Sequence, residues 1–248
     1  MSTGAPERAD TDIWVVLPTY DEAENVEGIT SALLDALPGR VRVLIVDDAS
    51  PDGTGAIADR LAAENESVEV LHRDAKEGLG PAYLAGFARA LGGGARLVVA
   101  MDADFSHDPA YLPGMIEASE GADLVIGSRY VPGGGIEDWG PLRRSVSKFG
   151  STYARRVLGV RTRDLTGGFK VFRREALEAI DLDEVSAKGY AFQIEMTYRA
   201  ALAGMRIVEY PIVFSDRELG SSKMSGGIVL EAVFAVPLMR LRLGGGKR

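Results

Sequence analysis

The chain has 248 residues, 46% hydrophobic and 26% charged, enough for one large α/β domain and ordinary for a globular protein. It has no cysteine and only two histidines, which excludes disulfides, zinc–thiolate and iron–sulfur sites and thiol nucleophiles, so that a bound metal would sit on carboxylates as Mg2+ or Mn2+. The net charge of −8 hides an asymmetry: residues 140–174 hold ten Arg or Lys and one acid, Asp164, so this segment is +9 and the remainder −17. That balance argues against general nucleic-acid binding and for a grip on one anionic group or an anionic membrane surface.

In chain order, residues 1–11 read as a disordered tail without the apolar core of a secretory signal. No apolar run reaches the ~18–20 residues of a membrane span, so the expected location is cytoplasmic. Continuously apolar strands are predicted at Ile13–Leu17, Val41–Val46, Val68–Leu71, Leu97–Met101 and Leu124–Ile126. Helical stretches near Glu22–Leu37, Gly53–Glu64, Pro81–Leu91 and Pro109–Glu120 lie between them. Strand–helix alternation of this kind predicts an α/β, doubly wound, mostly parallel sheet in a single domain spanning residues 12–225. After it come a Gly-rich loop at Val131–Gly135, the basic helical segment and a short strand near Phe169–Arg173. A helix at Tyr190–Leu202 and a strand through Ile207–Phe214 follow. Residues 226–248 form an apolar helix with a basic end, which reads as a core helix or as one docked on a membrane or membrane partner.

Three acidic groups directly follow apolar strands, where this architecture places its ligands. Pro18-Thr19-Tyr20-Asp21-Glu22 alone reads as a strand-to-helix turn. Asp47 and Asp48 are adjacent carboxylates that repel unless partners satisfy them, and either can accept from a base N–H or a ribose hydroxyl. Asp102-Ala103-Asp104 places two carboxylates at i and i+2, able to face one cation and to leave coordination positions for phosphate oxygens. A phosphatase would carry such a pair after the first strand, followed by Thr or Val. No dinucleotide or P-loop glycine fingerprint occurs.

These residues resemble family 2 glycosyltransferases of the GT-A fold, and within them the dolichol- and polyprenol-phosphate mannose synthases. The matching strings are LPTYDEAENV, VLIVDDASPDGTG, KEGLGPAY, MDADFSHDP, DLVIGSRYVPGGGIEDW, RRSVSKFGSTYAR, DLTGGFKVFRR, GYAFQIEM and DRELGSSKMS, in that order between Asp12 and Ser225. The family often has Asn where Asp21 and Ala49 stand, and Gln or Ser where Ser106 stands. Many members also append transmembrane helices, which this sequence does not show.

The resemblance implies an inverting transfer of mannose from GDP-mannose to a polyprenyl phosphate lipid. Pro18, Tyr20, Glu22, Asp47 and Asp48 would hold the nucleoside. Asp102, Ala103 and Asp104, assisted by Ser106, would carry the diphosphate and its Mg2+ or Mn2+. Arg217 and Lys223 would close over the donor phosphates. Arg129 and Arg143, with Arg144 adjacent, would grip the acceptor phosphate, since Arg suits bidentate phosphate binding. Gln193 and Glu195 would face the site from a helix, with a role in holding the donor sugar or organising the site. The implied location is peripheral, on the inner face of the plasma membrane, with Ile228–Leu243 docking on the bilayer or on an integral membrane partner. The rival of the same fold is a polyprenyl-phosphate glucosyltransferase using UDP-glucose. A sugar-nucleotide pyrophosphorylase would need a basic Gly-rich loop where LPTYDEAE is acidic. A non-catalytic scaffold subunit would not need the intact carboxylate pair and arginines.

Overall fold

The computed structural model describes residues 12–137, 139–187, 189–215 and 226–244, with Tyr190 and residues 226–232 described by backbone alone. The chain runs β1 (Ile13–Thr19), α1 (Val26–Ala36), β2 (Val41–Asp47), α2 (Thr54–Glu64), β3 (Val68–His72), α3 (Leu79–Gly92) and β4 (Leu97–Ala100). It continues through α4 (Leu112–Ala118), β5 (Leu124–Ser128), β6 (Gly135–Ile136), α5 (Pro141–Leu158), β7 (Lys170–Arg173) and α6 (Arg174–Ala179). It ends with α7 (Gly189–Leu202), β8 (Ile207–Pro211), β9 (Val213–Phe214) and α8 (Gly226–Gly244).

Strands with apolar residues at every position must be covered on both faces. Along β1, Ile13, Val15 and Leu17 enter one buried cluster with Ile29 and Leu33 of α1, while Trp14 and Val16 enter another with Phe87 of α3. The main sheet has the order β3-β2-β1-β4-β7-β5-β8. The chain winds outward from β1 through β2 to β3, then returns to place β4 on the other side of β1, parallel to it. This reversal opens a crevice at the carboxyl ends of β1 and β4, flanked by the loops that leave them.

The exception to parallel pairing is β7, antiparallel to both β4 and β5. Because β7 runs backwards, residues 164–169 leading into it lie at the same end as the residues leaving β4 and β5. The predicted strand Ile207–Phe214 is broken at Ile212, whose N–H donates to Ser128 O at 3.2 Å. Beyond it β9 leaves the main sheet and pairs with β6. The helix expected from Glu22 begins at Val26, because Glu22 O first accepts from Asn25 N (3.0 Å) and Val26 N (2.9 Å) in a turn. A third cluster joins Ala154 and Leu158 of α5, Ile194 and Tyr198 of α7, and Val236 and Met239 of α8. The last helix is therefore half core and half surface. Among the described residues no helix is long and apolar enough to cross a membrane.

Candidate active site

The loops after β1 and β2 hold each other through polar groups. Asp21 N donates to Ser50 Oγ (3.2 Å), Glu22 N to Thr54 Oγ1 (3.0 Å) and Ala23 N to Asp52 Oδ2 (3.0 Å). Burial would raise the Asp52 carboxyl, but the Thr54 hydroxyl and the N–H groups of Ala23 and Thr54 hold it below the ordinary carboxylate range. Asp47 turns into this framework: its carboxylate accepts from Thr19 Oγ1 (3.3 Å) and Ser50 N (3.3 Å), with His72 Nδ1 at 3.8 Å. Asp48 is buried and takes Gly78 N at 2.7 Å, Glu77 N at 3.2 Å and the Arg73 guanidinium. The repulsion expected of two adjacent carboxylates is thus met by two separate partner sets. Asp21, Ala49 and Phe105, each in a loop after β1, β2 or β4, sit in the left-handed region at φ 53°, 58° and 59°.

A cavity of about 280 Å³ lies over the carboxyl ends of these strands. One end is lined by Pro18, Thr19, Tyr20, Glu22, Asp48 and Lys76, whose Nζ stands 3.5 Å from the centre of the Tyr20 ring. Asp102, Ala103 and Asp104 form its floor. Tyr83 Oη of α3 donates to Asp102 Oδ1 at 2.9 Å. Burial first, then the charges of Asp102 and Asp104, push that phenol well above its ordinary value, so it stays a donor. Ser106 donates both N–H (3.1 Å) and Oγ (2.5 Å) to Asp104 Oδ1, so it fixes the second carboxylate. Gly168 packs tightly against the site: a Cβ there would lie 3.2 Å from Asp102 Oδ2 and 3.3 Å from His107. Burial lowers the His107 pKa against the pull of Asp102 and Asp104, leaving a neutral ring packed on Phe169 and Phe214.

No group of three or more metal-ligating side chains exists among the described residues. The pair Asp102 and Asp104 nevertheless fits a hard divalent cation of the Mg2+ or Mn2+ type: both are oxygen donors, both line one cavity, and remaining positions fall to substrate oxygens or water. A second hollow, about 440 Å³, lies between Leu158–Thr162 and the stretch from Tyr198 to Glu209. Its carboxylate, Glu209, already accepts from Ser128 Oγ, Arg163 N and Asp164 N, and no pair of carboxylates converges there.

At the far end Arg129 lines the cavity. Its Nε and Nη2 each meet an Asp164 carboxylate oxygen at 2.7 Å, and Nη2 also donates to Thr166 Oγ1 at 2.8 Å. Burial would raise the Asp164 carboxyl, but the Arg129 charge and its hydrogen bonds outweigh that and hold it low. Arg143 lies outside the cavity lining, with its guanidinium 4.0 Å from the Trp139 ring centre. Trp139 meets Phe214 edge-on at 5.4 Å, and Phe214 in turn lies 5.3 Å under Arg129. An aromatic bridge therefore joins the two arginines. Arg144 is exposed on the first turn of α5. Arg217 and Lys223 lie outside the described residues, as does the 1–11 tail.

An acidic floor thus lies at a strand-order reversal, with a buried arginine beyond it. Residues 14–181 match the family described as Glycosyl transferase family 2. The chain belongs to that family.

This family 2 glycosyltransferase is 53% identical over 224 residues to the undecaprenyl-phosphate mannosyltransferase of Micrococcus luteus, covering 90% of this chain and 92% of that protein. It is also 53% identical over 225 residues to the polyprenol monophosphomannose synthase of Mycolicibacterium smegmatis, covering 90% and 84%. Its GT-A fold is shared with glucosyl-3-phosphoglycerate synthase from Mycobacterium tuberculosis, at a TM-score of 0.66 and 20% identity over 94% of this chain and 81% of that one.

Asp164, Thr166, Tyr83 and Lys170 escape the sequence reading. Lys170 is fully buried on β7, and its Nζ donates to Gly167 O (2.6 Å), Gln193 O (3.2 Å) and Gln193 Oε1 (2.5 Å). Burial draws its pKa down to about 7, against the pull of Asp164 and Asp102. A Lys in an apolar strand leaves no signal beyond the conflict of its charge with its neighbours. Glu195 is fully buried on α7 and accepts from Arg199, Arg242 of α8 and Ala187 N, so it ties helices together behind the cavity wall.

Proposed function

We propose that this glycosyltransferase moves mannose from GDP-mannose to the phosphate of a polyprenyl phosphate, inverting the anomeric centre and releasing GDP. The observation that carries the reading is one cavity with two chemistries: Glu22, Asp48, Asp102 and Asp104 at one end and Arg129 at the other. The names of the two relatives at 53% identity support mannose and a polyprenyl acceptor.

The Tyr20–Lys76 pair and the carboxylates of Glu22 and Asp48 offer a stacking face and acceptors for a nucleoside. Asp102 and Asp104 would hold Mg2+ or Mn2+, and solved relatives of the fold contain Mn2+ or Mg2+ together with UDP. Such an ion supplies charge that neutralises the donor diphosphate and the departing nucleotide. Arg217 and Lys223 would add to that neutralisation. At the other end Arg129, with Arg143 and Arg144, would position the attacking phosphate. A phosphate monoester has a second pKa of ~6, so the acceptor is already an anionic nucleophile at neutral pH. No general base is required, in keeping with a buried His107 whose pKa is lowered. One displacement on an α-linked donor yields a β-linked mannosyl phosphate lipid.

The lipid acceptor places the work at the bilayer. The same reading puts the enzyme on the cytoplasmic face of the plasma membrane, seated through α5 and α8 on anionic lipid. The test of transfer is radiolabelled mannose passing from GDP-mannose to a short polyprenyl phosphate, with Mg2+ or Mn2+ and with EDTA. Asp102→Ala and Asp104→Ala should each lower transfer by about a thousandfold or more while thermal unfolding stays near wild type. Wild-type rates in either variant would sink the metal assignment, and label arriving only from UDP-glucose would replace the donor.

A further inference from the structure

Tyr83 of α3 is fully buried, yet its hydroxyl reaches the floor of the cavity, where it donates to Asp102 Oδ1 at 2.9 Å. Core packing fixes where that hydroxyl stands. The ring lies 3° from parallel to Phe192 of α7 at 5.7 Å between centres, with Phe87 of its own helix 5.6 Å away. The helix is held on the sheet at Gly86, which has no side chain to keep it from Val16 and Val46. Asp102, by contrast, sits in the loop beyond β4 with 32% of its side chain exposed. One oxygen of a loop carboxylate is therefore tied to a donor placed by the core. The other, Oδ2, has His107 Nδ1 at 4.0 Å, and that nitrogen accepts from Asp102 N (3.5 Å), so it brings no proton to the carboxylate. Asp104 is held in a similar way, with Ser106 N–H and Oγ both on its Oδ1.

We propose that Tyr83 is a positioning residue that makes Asp102 a one-oxygen ligand, and that it thereby sets a preference of this site for Mg2+ or Mn2+ over Ca2+. The inference rests on reading Asp102 and Asp104 as the metal pair. Ca2+ gathers about 6–8 oxygens in a flexible shell and commonly takes both oxygens of a carboxylate. Mg2+ demands near-octahedral geometry, keeps several waters and draws on one or two carboxylates, and Mn2+ shares its preference for oxygen donors. A carboxylate with Oδ1 committed to a fixed hydroxyl suits the second kind of shell. Groups that hold a metal ligand from behind fix its orientation, and a fixed orientation matters most to the ion with the stricter geometry. Without the hydroxyl, Asp102 is free to turn and to offer both oxygens.

The experiment reads cation binding rather than transfer. Mn2+ is titrated into the protein and followed by loss of the electron paramagnetic resonance signal of the free aqueous ion, with the metal alone and with GDP or UDP added, against protein-free blanks. Mg2+ and Ca2+ are then added as competitors, and thermal unfolding is measured alongside. Tyr83→Phe keeps the ring and removes the hydroxyl. Its affinity for Mn2+ and Mg2+ should fall about tenfold or more, the usual loss when the group behind a metal ligand is removed. Affinity for Ca2+ should change by less than about threefold, so the preference narrows. A general loosening of the fold would instead weaken all three ions alike. Should Tyr83→Phe fail to fold, Phe192→Leu decides: it keeps the hydroxyl but removes the ring stacked on it, and should narrow the preference by a smaller factor. An unchanged preference in the variant that folds overturns the inference, and so does an equal loss for all three ions. If wild type binds none of the ions under any of these conditions, or Asp102→Asn binds them as wild type does, the metal reading itself fails and takes the inference with it. Because no transfer is measured, a different sugar donor or acceptor leaves the outcome readable.

Discussion

At the scale of single residues, the pairing of Arg129 with Asp164 decides how the arginine end of the cavity is built. Both side chains are buried, and two parallel 2.7 Å contacts fix the guanidinium plane. Removing one partner of such a pair strands the other charge, which typically costs about 3–5 kcal/mol. For a chain of this length, Asp164→Asn should lower Tm by roughly 10 °C. It should also raise KM for the acceptor lipid more than for the donor, as steady-state kinetics would show. The pH dependence follows from the sign of the shift. The folded carboxyl is held below its ordinary 3.8, so its contribution is present above that value and is lost as pH falls through the folded pKa. Wild type should therefore lose Tm below pH 4 faster than Asp164→Asn, and parallel curves would refute the assignment. The carboxylate pair at 102 and 104 is legible in the sequence because an apolar strand announces the loop after it. The partner of Arg129 is not, since it lies 35 positions away and meets it only through the reversed β7. The left-handed backbone at Asp21 and Ala49 is a conformation in which Asn is, after glycine, the residue type most at ease.

At the scale of elements, α3 is the piece that connects packing to chemistry. Its buried residues Ala82, Tyr83, Gly86, Phe87 and Ala90 recur at helical spacing and face the sheet. Gly78, just before it, donates to Asp48, and Tyr83 within it donates to Asp102. Gly86 lets the helix come this close: a Cβ there would lie 2.3 Å from Val16 Cγ1 and 3.0 Å from Val46 Cγ2. Gly86→Ala should force the helix off the sheet at a cost of about 1–3 kcal/mol, the usual range for overpacking. Thermal unfolding should then shift down by roughly 3–10 °C. Transfer should fall as well, because Tyr83 and Gly78 move with the helix; unchanged Tm and unchanged transfer would refute this account. The parallel strands were readable from their continuous apolar runs, and the helices between them from their period. Two features were not. Nothing local marks β7 as antiparallel, since strand direction is set by where the preceding α5 delivers the chain. The break at Ile212 depends on Ser128 O, a partner 84 positions earlier, and on β6, only two residues long.

At the scale of the whole molecule, the exposed large apolar side chains among the described residues all lie on two adjacent helices. They are Leu142, Val146 and Phe149 on α5 and Val233, Phe234, Leu238 and Leu241 on α8. Contiguous apolar surface of this kind marks an interaction site. Its surroundings carry Arg143, Arg144, Lys148, Arg155 and Arg156 on α5 and Arg240 and Arg242 on α8, against a molecule that is otherwise acidic. Exposed apolar residues on helices that also carry Arg and Lys suit the interface of an anionic bilayer. The arrangement also gives the basic segment a second task, because α5 starts next to Trp139, which the aromatic bridge joins to Arg129. On the proposed reading, a lipid phosphate would then reach the cavity from the surface on which the protein would sit. Truncation at Gly226 would be a poor test, since it uncovers Leu158, Ile194 and Tyr198 beneath α8. Charge placed on the exposed face is cleaner. Phe149, 71% exposed, and Phe234, 65% exposed, can both be changed to Glu without disturbing that cluster. Flotation with phosphatidylglycerol vesicles should show about tenfold weaker binding by Phe149→Glu/Phe234→Glu. Nucleotide affinity should not change. Wild-type binding should weaken as salt is raised, as screening of the arginines requires. Undiminished flotation of the double variant would refute the bilayer seat, and wild-type flotation that appears only with membrane protein present would replace lipid by an integral partner.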